Sequence, residues 1–327
     1  MAAEKGRLNM NEQSMITVAV LTYRPDNEKL LATLRSVLLQ QAVDVEIVIA
    51  DDGSAQKDFG PIRAFFREAG FTRYRIVENP ENRGTVYNTL SAVENSRGKY
   101  IKLISPGDLL ANEQTLSRWV AAMEKSGAAL SFADAIYYAP TDEGPVCVIN
   151  NAYPSQPGPY EKENREACRY GYLICEDLFL GAATLCLGQT LHRYLEQIAG
   201  KVVYAEDNVY RLMAYDRVPV CYFRESAVLY ETGLGVSTSG SDIWKQRLAA
   251  DWNATSALLL ARCTGADAID KKLRLLLTAP KQTTIQKCLL YLQLPGLVAY
   301  KLKNKLCRRK TPDALPVEFL QKVFPRQ

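Results

Sequence analysis

Short apolar runs rich in β-branched residues alternate with helix-like patterns from residue 16 to about residue 133, and this alternation constrains the fold most. The runs cover residues 16–22, 45–50, 73–78, 99–104 and 129–133. Apolar residues at helical spacing separate one run from the next. Strands that alternate with helices in this way predict an α/β fold, with a Rossmann-like, mostly parallel sheet covered by helices on both faces.

Polar side chains follow three of the predicted strands at the point where each strand ends. The first strand ends at Thr22-Tyr23-Arg24, the second at Asp51-Asp52, and the fourth at Ser105-Pro106-Gly107-Asp108. In open α/β sheets the ligand lies beyond the carboxyl ends of the strands. These residues are therefore candidates for one binding site along that edge of the sheet.

Composition narrows the possible classes of protein. With 47% hydrophobic and 23% charged residues among 327, the chain has the balance of a folded domain. The apolar stretch at residues 289–300 is interrupted by Pro295 and is shorter than the roughly 18 residues that a membrane-spanning helix requires. Eight cysteines form no C-x-x-C pair and His192 is the only histidine, which disfavours a disulfide scaffold and multi-histidine metal sites.

The first residues predict no secretion signal. Residues 1–14 are polar and aperiodic, without the apolar core of a signal peptide. We therefore expect a flexible extension at residues 1–14 and a cytoplasmic location.

Five short motifs occur in order along the chain. They are Thr22-Tyr23, Asp51-Asp52-Gly53-Ser54, Asn82-Arg83-Gly84 through Asn88 with Arg97 to Ile101, Glu206-Asp207, and Gly235-Val236-Ser237. In this order and spacing they resemble the inverting GT-A glycosyltransferases of family 2, which use nucleotide sugars. The resemblance covers about residues 15–237 and implies a GT-A domain at residues 15–240.

The resemblance implies transfer of a sugar from a nucleoside-diphosphate sugar, most commonly a UDP-sugar, to a hydroxyl of a glycan or lipid-linked acceptor. The implied setting is bacterial surface polysaccharide synthesis. A non-catalytic nucleotide-sugar-binding or scaffold protein of the same fold is the alternative, because the metal-binding motif is reduced. A dinucleotide-dependent oxidoreductase is disfavoured, since the chain contains neither G-x-G-x-x-G nor a P-loop.

Donor binding is assigned by the resemblance to the strand ends and to the loop after the third strand. The residues so implied are Thr22, Tyr23, Arg24, Asp51, Asp52, Arg83, Asn88, Ser105, Pro106 and Gly107. Asp52 offers two acceptor oxygens to a base edge or ribose, and Arg83 offers a planar fork of donors to a base carbonyl or phosphate. Two alternative roles remain open: Asp51 and Asp52 could only cap a turn, and Arg83 could be a solvated cation on a loop.

Asp108 is the metal ligand that the resemblance implies. The family's D-x-D type cluster is reduced here to Ser105-Pro106-Gly107-Asp108, which keeps only the last carboxylate. Mg²⁺ or Mn²⁺ can bind through one carboxylate plus donor phosphate oxygens and water, so the ion is expected to bind weakly without the donor. The family often has a histidine after the tyrosine near the late loop, but here Glu231 follows Tyr230. A turn-capping or helix-capping role for Asp108 remains open.

Asp207 is the candidate general base, and Glu206 is expected to orient the acceptor or to shape the environment of Asp207. Inverting transfer is one in-line displacement, in which a carboxylate takes the proton of the acceptor hydroxyl. A second acidic pair, Glu176-Asp177, is the rival. The later pair is preferred because it precedes an apolar-periodic helix and lies about a hundred residues after Asp108, as in the family. An acidic pair that only favours a helix N-terminus is the structural alternative.

The positive charge of the chain is concentrated near its C-terminus. Eleven Lys or Arg residues and no Asp or Glu lie within residues 271–310, although the net charge of the chain is only +4. Helices are predicted at residues 241–262 and, broken at Pro280 and Pro295, at residues 271–310. Residues 271–310, within a helical C-terminal region at residues 241–327, are expected either to dock on the anionic inner face of the cell membrane or to pack on the catalytic domain with a solvated basic face. Nucleic acid is not expected as a partner, because the rest of the chain is acidic.

Overall fold

The computed structural model describes residues 15–233 and 241–324. The predicted extension at residues 1–14 and the motif Gly235-Val236-Ser237 lie outside the described residues.

Nine strands in the described part of the chain form one sheet. They are β1 Ile16–Thr22, β2 Val45–Asp51, β3 Tyr74–Glu78, β4 Tyr100–Ile104, β5 Leu109–Leu110, β6 Leu130–Ala139, β7 Val146–Cys147, β8 Thr184–Leu187 and β9 Val220–Glu231. Their order across the sheet is β3-β2-β1-β4-β8-β6-β9-β5, and β7 pairs with β6.

The sheet has a parallel half and a mixed half. Strands β3, β2, β1 and β4 are parallel to their neighbours, with Thr22 beside Asp51 at the carboxyl ends of β1 and β2. Strand β8 runs antiparallel to both β4 and β6, β5 runs antiparallel to β9, and β6 and β9 are parallel with a bulge at Asp134. The predicted α/β fold is confirmed, and its parallel pairing is limited to these two groups of strands.

Thirteen helices are described. They are α1 Asn27–Leu38, α2 Gly60–Glu68, α3 Thr85–Glu94, α4 Thr115–Ser126, α5 Gly158–Glu161, α6 Arg165–Leu173, α7 Gly188–Ile198, α8 Val209–Tyr215, α9 Asp242–Arg262, α10 Ala268–Thr278, α11 Thr284–Gln293, α12 Pro295–Leu306 and α13 Val317–Val323. Two 3₁₀ turns, Gly181–Ala183 and Glu206–Asn208, precede β8 and α8. The predicted break at Pro280 separates α10 from α11, and Pro295 begins α12 because its fixed φ suits the first helical turn.

Helices cover both faces of the sheet, as predicted. On one face, residues of α1, α2 and α4, including Leu34, Phe66 and Trp119, pack against the sheet in one apolar cluster. On the other face, α3, α7 and α8 pack in a second cluster that includes Val86 and Leu195. In β2, Ile47 and Ile49 lie in the first cluster and Val48 lies in the second, and none is more than 1% exposed, because the strand is covered on both sides.

The C-terminal helices add two further clusters. Leu273 of α10, Leu290 of α11 and Leu297 of α12 are buried in a cluster with residues of α6. Helix α13 buries Phe319 and Val323 in another cluster with residues of β5, β6 and β9. Within residues 15–233 and 241–324, no helix combines the length and the apolar character needed to cross a membrane.

Candidate active site

A cavity of about 690 Å³ opens at the carboxyl ends of β1 and β4. The strand ends form one side, and the segment 204–211 together with α9 forms the other. The lining residues that the sequence had implied are Thr22, Tyr23, Arg24, Asp52, Asn88, Ser105, Pro106, Asp108, Glu206 and Asp207. Three implied donor-binding residues, Asp51, Arg83 and Gly107, do not line the cavity.

Asp52 is held at the cavity wall by the backbone of the loop before α3. Its Oδ1 accepts a hydrogen bond from Arg83 N and its Oδ2 accepts one from Gly84 N, both at 2.9 Å. Gly84 has φ of 90°, and a Cβ there would lie 2.4 Å from Val203 Cγ1, so only glycine fits. The carboxylate is thereby fixed, and its further lone pairs can accept hydrogen bonds from a ligand.

Asp51 points into the turn after β2 instead of the cavity. Its carboxylate accepts hydrogen bonds from Ser54 N at 2.8 Å, Ser54 Oγ at 2.6 Å and Thr22 Oγ1 at 3.3 Å. Lys57 Nζ lies 3.3 Å from its Oδ2. Asp51 has 0% exposure, and these four donors occupy its oxygens. Asp51 therefore stabilises the turn and presents no atom to the cavity.

Arg83 holds Asp52 through its backbone instead of presenting its guanidinium to the cavity, and Asn88 holds the end of β2. The guanidinium of Arg83 lies over the Tyr87 ring, 3.6 Å from its centroid, and half of the side chain is exposed outside the cavity. Its backbone N–H is the group that holds Asp52. The amide of Asn88 donates to Ala50 O at 3.0 Å and accepts from Asn79 Nδ2 at 3.0 Å, so it ties α3 to β2 while bordering the cavity.

Asp108 and Glu231 bring two carboxylates to the β4 side of the cavity. Asp108 Oδ1 accepts a hydrogen bond from Glu231 N at 3.0 Å, and Glu231 pairs with Lys29 Nζ. Both acids and Lys29 line the cavity. Burial raises the pKa of Asp108 to about 7, and the negative charge of Glu231 adds to that effect. Gly107 has φ of 100°, which favours glycine, and a Cβ on it would displace the Glu231 carboxylate, whose Oε2 lies 1.9 Å from that position.

These residues fit a divalent ion only together with oxygens from a ligand. The described residues contain no group of three or more His, Cys, Asp or Glu that could hold a metal ion. Two adjacent carboxylates are nevertheless the hard oxygen ligands that Mg²⁺ and Mn²⁺ use when phosphate oxygens and water complete the shell. Glu231 thus supplies a second carboxylate that the reduced motif around Asp108 lacks.

The buried lysine of β4 supports the far wall. Lys102 has 0% exposure, and its Nζ donates to Leu103 O at 2.5 Å and to Ala182 O at 2.6 Å. Gly181 and Ala182 line the cavity, and a Cβ on Gly181 would lie 3.0 Å from Asp207 Cβ. Desolvation lowers the pKa of Lys102 to about 7, against the opposing charge of Asp108. Lys102 therefore fixes the backbone against which Asp207 packs.

Glu206 and Asp207 lie on the 3₁₀ turn that begins α8, and α9 holds the chain just before it. The buried carboxylate of Asp251 accepts hydrogen bonds from Val203 N at 2.9 Å, Tyr204 N at 2.7 Å and Ala205 N at 3.0 Å. Three donors to one carboxylate fix the direction in which the chain enters the turn. The helical C-terminal region is thus part of the support of this acidic pair.

The two adjacent acids are desolvated, and their pKa values are raised. Burial raises the pKa of Glu206 to about 8, and the charge of Asp207 adds to the effect. Desolvation also raises the pKa of Asp207, although backbone N–H groups and Arg211 oppose it. The Asp207 side chain is open to the cavity, and the surrounding cavity walls reduce its hydration relative to a surface aspartate. A carboxylate with a raised pKa in a cavity is a stronger proton acceptor than an ordinary surface aspartate.

Arg211 and Trp252 complete the wall beside Asp207. The guanidinium of Arg211 lies 3.5 Å from the centroid of the Trp252 ring, and its Nη1 donates to Trp252 O at 3.4 Å. Both residues line the cavity. The cation is therefore fixed by an aromatic face from α9 and faces the acidic pair with its positive charge.

The rival acidic pair lies elsewhere. Asp177 accepts hydrogen bonds from Ser155 N at 2.7 Å, Gln156 N at 2.9 Å and Tyr300 Oη at 2.8 Å, and it does not line the cavity. These contacts join the loop before α5 to α12. His192 lies on the surface of α7 near Glu94 and Glu196.

Sequence reasoning missed several lining residues. Lys29, Arg211, Leu248, Trp252 and Glu231 border the cavity without belonging to any recognised motif. Trp252 lies on the long helix α9, outside all five motifs of the sequence. Glu231 ends the long strand β9, which was not predicted from the sequence. An acidic residue at the end of a strand was the feature that could have identified it as a site residue.

Comparison with known proteins identifies related sequences and folds. Residues 17–169 match the family described as glycosyl transferase family 2. An uncharacterized protein of Sinorhizobium fredii, y4gI, is 33% identical over 96 residues, which is 29% of this chain and only 10% of that protein's length.

Solved structures of residues 1–349 of TarS from S. aureus are similar in fold. The complex with UDP aligns with a TM-score of 0.53 at 13% identity over 80% of this chain and 70% of TarS 1–349. The complex with UDP-GlcNAc aligns with a TM-score of 0.55 at 14% identity over 80% of this chain and 71% of TarS 1–349. At this identity the likeness shows a shared fold.

Proposed function

We propose that this chain, whose residues 17–169 match glycosyl transferase family 2, transfers a hexose or related sugar from a nucleoside-diphosphate sugar to a hydroxyl acceptor, with inversion at the anomeric carbon. One observation carries the proposal: a single cavity joins the polar ends of β1, β2 and β4 to the acidic pair Glu206-Asp207. UDP is the proposed nucleotide, because TarS, which shares the fold, has solved complexes with UDP and UDP-GlcNAc.

The ends of β1 and β2 are the proposed site of the nucleoside. Tyr23 is 46% exposed at the cavity, and Arg24 lies 5.1 Å from its ring centroid, so the two present a planar surface on which a base can stack. Asp52 can accept hydrogen bonds from the base edge or the ribose, because the backbone already holds its carboxylate. We assign the diphosphate to the β4 side, near Lys29 and Asp108.

Asp207 is the proposed general base. The acceptor oxygen attacks the anomeric carbon as the bond from that carbon to the diphosphate oxygen breaks, and the hydroxyl proton passes to Asp207. Glu206, with its pKa raised to about 8, is protonated at neutral pH and so adds no second negative charge beside the base. Arg211 supplies the fixed positive charge that keeps Asp207 available as a carboxylate.

Asp108 and Glu231 are the proposed protein ligands of a divalent ion shared with the donor. Mg²⁺ or Mn²⁺ bound there would neutralise charge on the leaving diphosphate. Lys29, paired with Glu231, offers a further cation on the same side.

The aromatic wall near Asp207 is the proposed acceptor side. Leu248 and Trp252 of α9 border the cavity next to Tyr204, which supports binding of a sugar ring by an apolar and aromatic surface. We propose a hydroxyl of a glycan or of a lipid-linked glycan in bacterial surface polysaccharide synthesis as the acceptor.

The exposed faces of α11 and α12 support a second part of the proposal, namely contact with an anionic membrane. Helix α11 exposes Ile285, Leu289 and Leu292, and α12 exposes Leu302 and Leu306, with exposures from 54% to 77%. Spacings of three and four residues place each set on one side of its helix. Their inner faces are buried in the cluster with α6, so packing on the domain leaves the outer leucines uncovered.

Positive charge surrounds these outer faces. The exposed lysines on and before the two helices are Lys281, Lys287, Lys301, Lys303 and Lys305. Exposed leucines bordered by lysines suit a helix pair in the headgroup layer, where each cation near an anionic surface contributes about 1 kcal/mol. We propose that this surface, defined by α11 and α12, brings the cavity to a lipid-linked acceptor at the inner face of the cell membrane.

Ligand-induced stabilisation tests the enzymatic proposal. Thermal unfolding is followed with UDP, ADP, GDP and their sugar derivatives, each with and without MnCl₂. A nucleoside diphosphate should raise the midpoint, and Asp52→Ala should remove the increase, while Asp58→Ala on the exposed loop before α2 retains it. If no nucleotide stabilises the protein, the proposed donor class is wrong. If UDP-sugar binds but is neither transferred nor hydrolysed, a binding protein is the correct description.

Co-sedimentation tests the membrane proposal. The protein should pellet with phosphatidylglycerol vesicles at low salt and not with phosphatidylcholine vesicles. The double change Leu289→Asn, Leu302→Asn should abolish pelleting, whereas Val317→Asn, an exposed valine on α13, should not. Point substitutions are preferable to truncation, because α10 and α13 carry buried core residues. Equal pelleting of all three proteins would overturn the membrane proposal.

A further inference from the structure

A second cavity, of about 360 Å³, lies across Tyr172 from the first, and the Tyr172 side chain borders both. Helices α6 and α8 and the start of β9 provide most of its wall, and the end of α4 closes one side. Its volume falls within the range of about 300–1,000 Å³ that is typical of small-molecule sites. None of the proposed donor-binding or catalytic residues lines it.

The floor of this cavity is apolar and rigid. Phe179 stacks on Phe132 with ring centroids 4.8 Å apart, and it packs against Tyr172 at 4.8 Å and Tyr210 at 5.4 Å. Met213 and other aliphatic side chains of α8 and β9 complete the floor. An aromatic cluster fixed in this way offers a preformed surface to an apolar ligand.

The rim of the cavity is basic, although Glu166 and Asp267 pair with two of its arginines, Arg169 and Arg217. Five cations line it, namely Lys125, Arg165, Arg169, Arg217 and Arg224, against two acids, Glu161 and Glu163. Arg217 is paired with Glu166 and Asp267, and Arg224 donates to Glu161 O. Lys125 and Arg165 have no ion pair among the described residues. The rim therefore attracts an anion.

One buried donor on this rim lacks a partner. Arg169 is only 4% exposed, and its Nη1 is bonded to Asp267 Oδ2 at 2.7 Å, but its Nε is buried with no hydrogen-bond partner. A buried N–H group without an acceptor is costly, and a ligand oxygen or water is the usual remedy. Arg169 also lines the cavity.

We propose that this cavity binds an amphiphilic anion, with an oxyanion such as phosphate or carboxylate at the Arg169 side and an apolar body on the Phe179 floor. The basic rim accounts for the charge of the ligand, and the aromatic floor accounts for its apolar part. The occupant contacts Tyr172, whose side chain also borders the first cavity, and Tyr210 of α8. The site is independent of the donor cavity and does not rest on the proposed function.

Calorimetric titration tests this site with octyl phosphate below its micelle concentration. We expect one molecule to bind per chain, at least tenfold more tightly than inorganic phosphate or octanol, because only the amphiphile satisfies both parts of the cavity. Binding should persist with saturating UDP and MnCl₂, and in the Leu289→Asn, Leu302→Asn protein. Affinity that rises from butyl to octyl phosphate would indicate a lipid source, and tighter binding of phenyl than of butyl phosphate would indicate a free aromatic anion.

Variants separate the site from non-specific binding. Met213→Trp should fill the floor and abolish octyl phosphate binding, and Arg165→Gln should weaken it about threefold to tenfold. Lys162→Gln, a change of the same charge on the same segment but outside the cavity, should leave it unchanged. Thermal unfolding of each variant verifies folding. Equal binding to Met213→Trp and the parent protein, or no preference for octyl phosphate over inorganic phosphate, would overturn the proposal.

Discussion

Two pairs of adjacent acids, Asp51-Asp52 and Glu206-Asp207, each bring at least one carboxylate to the same cavity, but the two pairs lie in opposite environments. The first pair is surrounded by donors: each carboxylate accepts hydrogen bonds from backbone N–H groups, and Lys57 pairs with Asp51. In the second pair, desolvation raises the pKa values of both acids. The comparison teaches that hydrogen-bond supply separates acids that fix a loop from acids that can exchange a proton.

The largest effect is expected from Asp207→Asn. Removal of a positioned base typically lowers the rate by roughly 10² to 10⁴, while donor binding and the fold should persist because the amide is isosteric. Transfer from UDP-sugar and calorimetric binding of UDP are measured on the same preparation. Asp177→Asn is the matched control, and it should retain the transfer rate, since Asp177 only joins the loop before α5 to α12. Turnover by Asp207→Asn together with an inactive Asp177→Asn would reassign the base.

Asp51→Ala should reduce stability more than activity at saturating donor. The change leaves the buried backbone N–H and hydroxyl of Ser54 without their acceptor and leaves Lys57 paired with Glu78 alone, so the free energy of unfolding should fall by about 2–4 kcal/mol. Urea unfolding measures the difference. Asp58→Ala, an exposed acid seven residues further along whose Oδ1 accepts only from Gly60 N, should cost under about 1 kcal/mol. Equal losses for the two variants would contradict the structural role of Asp51.

Asp108 and Glu231 lie between the two extremes, since they are buried, share one hydrogen bond and border the cavity. Asp108→Ala should remove the increase in UDP affinity caused by MnCl₂, an effect of roughly tenfold or more. Glu231→Gln should reduce that increase without removing it, because Asp108 remains. Titration of UDP with and without MnCl₂ measures both. If the parent protein binds UDP equally well in both conditions, the assigned metal ligands are wrong.

A further effect is expected on the pH dependence of stability. The pKa of Glu206 is raised in the folded protein to about 8, above its ordinary value. Between roughly pH 4.5 and 8 the folded state therefore holds a proton that the unfolded state has lost, and stability falls as pH rises through this window. Glu206→Gln should abolish that decline, so the variant should gain on the parent protein between pH 5 and pH 8. A parallel pH profile of the two unfolding midpoints would argue against a raised pKa.

The pH dependence of transfer gives the complementary signal. An ordinary aspartate has a pKa of about 4. Because the pKa of Asp207 is raised, the acid limb of the rate profile should lie at a higher pH than that. An acid limb at an ordinary aspartate value would contradict the desolvated environment of the base.

The parallel part of the fold and the position of the site were predictable from local patterns. Buried β-branched strands followed by polar turns predicted β1 to β4, and the rule for strand ends predicted where Asp52 and Asp108 lie. The pattern of β9 was not recognised, because its partly buried strand, Val220–Glu231, mixes polar and apolar residues without clean alternation. Glu231 was therefore not connected with Asp108, 123 residues earlier.

Side-chain direction was the other limit. The motif predicted that both acids of Asp51-Asp52 contact the donor, but adjacent residues at a strand end point to opposite sides, and only Asp52 faces the cavity. Arg83 was expected to use its guanidinium, whereas its backbone N–H makes the contact with Asp52. Trp252 could not be assigned to the cavity, because the sequence of a 21-residue helix does not show which of its turns contacts the segment of Glu206 and Asp207. The predicted boundary between residues 240 and 241 stays a prediction.

The three hydrogen bonds from the backbone of Val203, Tyr204 and Ala205 to Asp251 have a consequence for attempts to recombine this chain with related sequences. A chimera that joins a foreign helical tail at residue 240 would lose the anchor of the loop that carries the acids, even if both parents were active. The two sequence blocks 203–207 and 248–252 must therefore be exchanged together. In a library of recombined chains, active hybrids should occur only where both blocks come from the same parent. Helix α9 must therefore be exchanged together with the segment that carries the acidic pair.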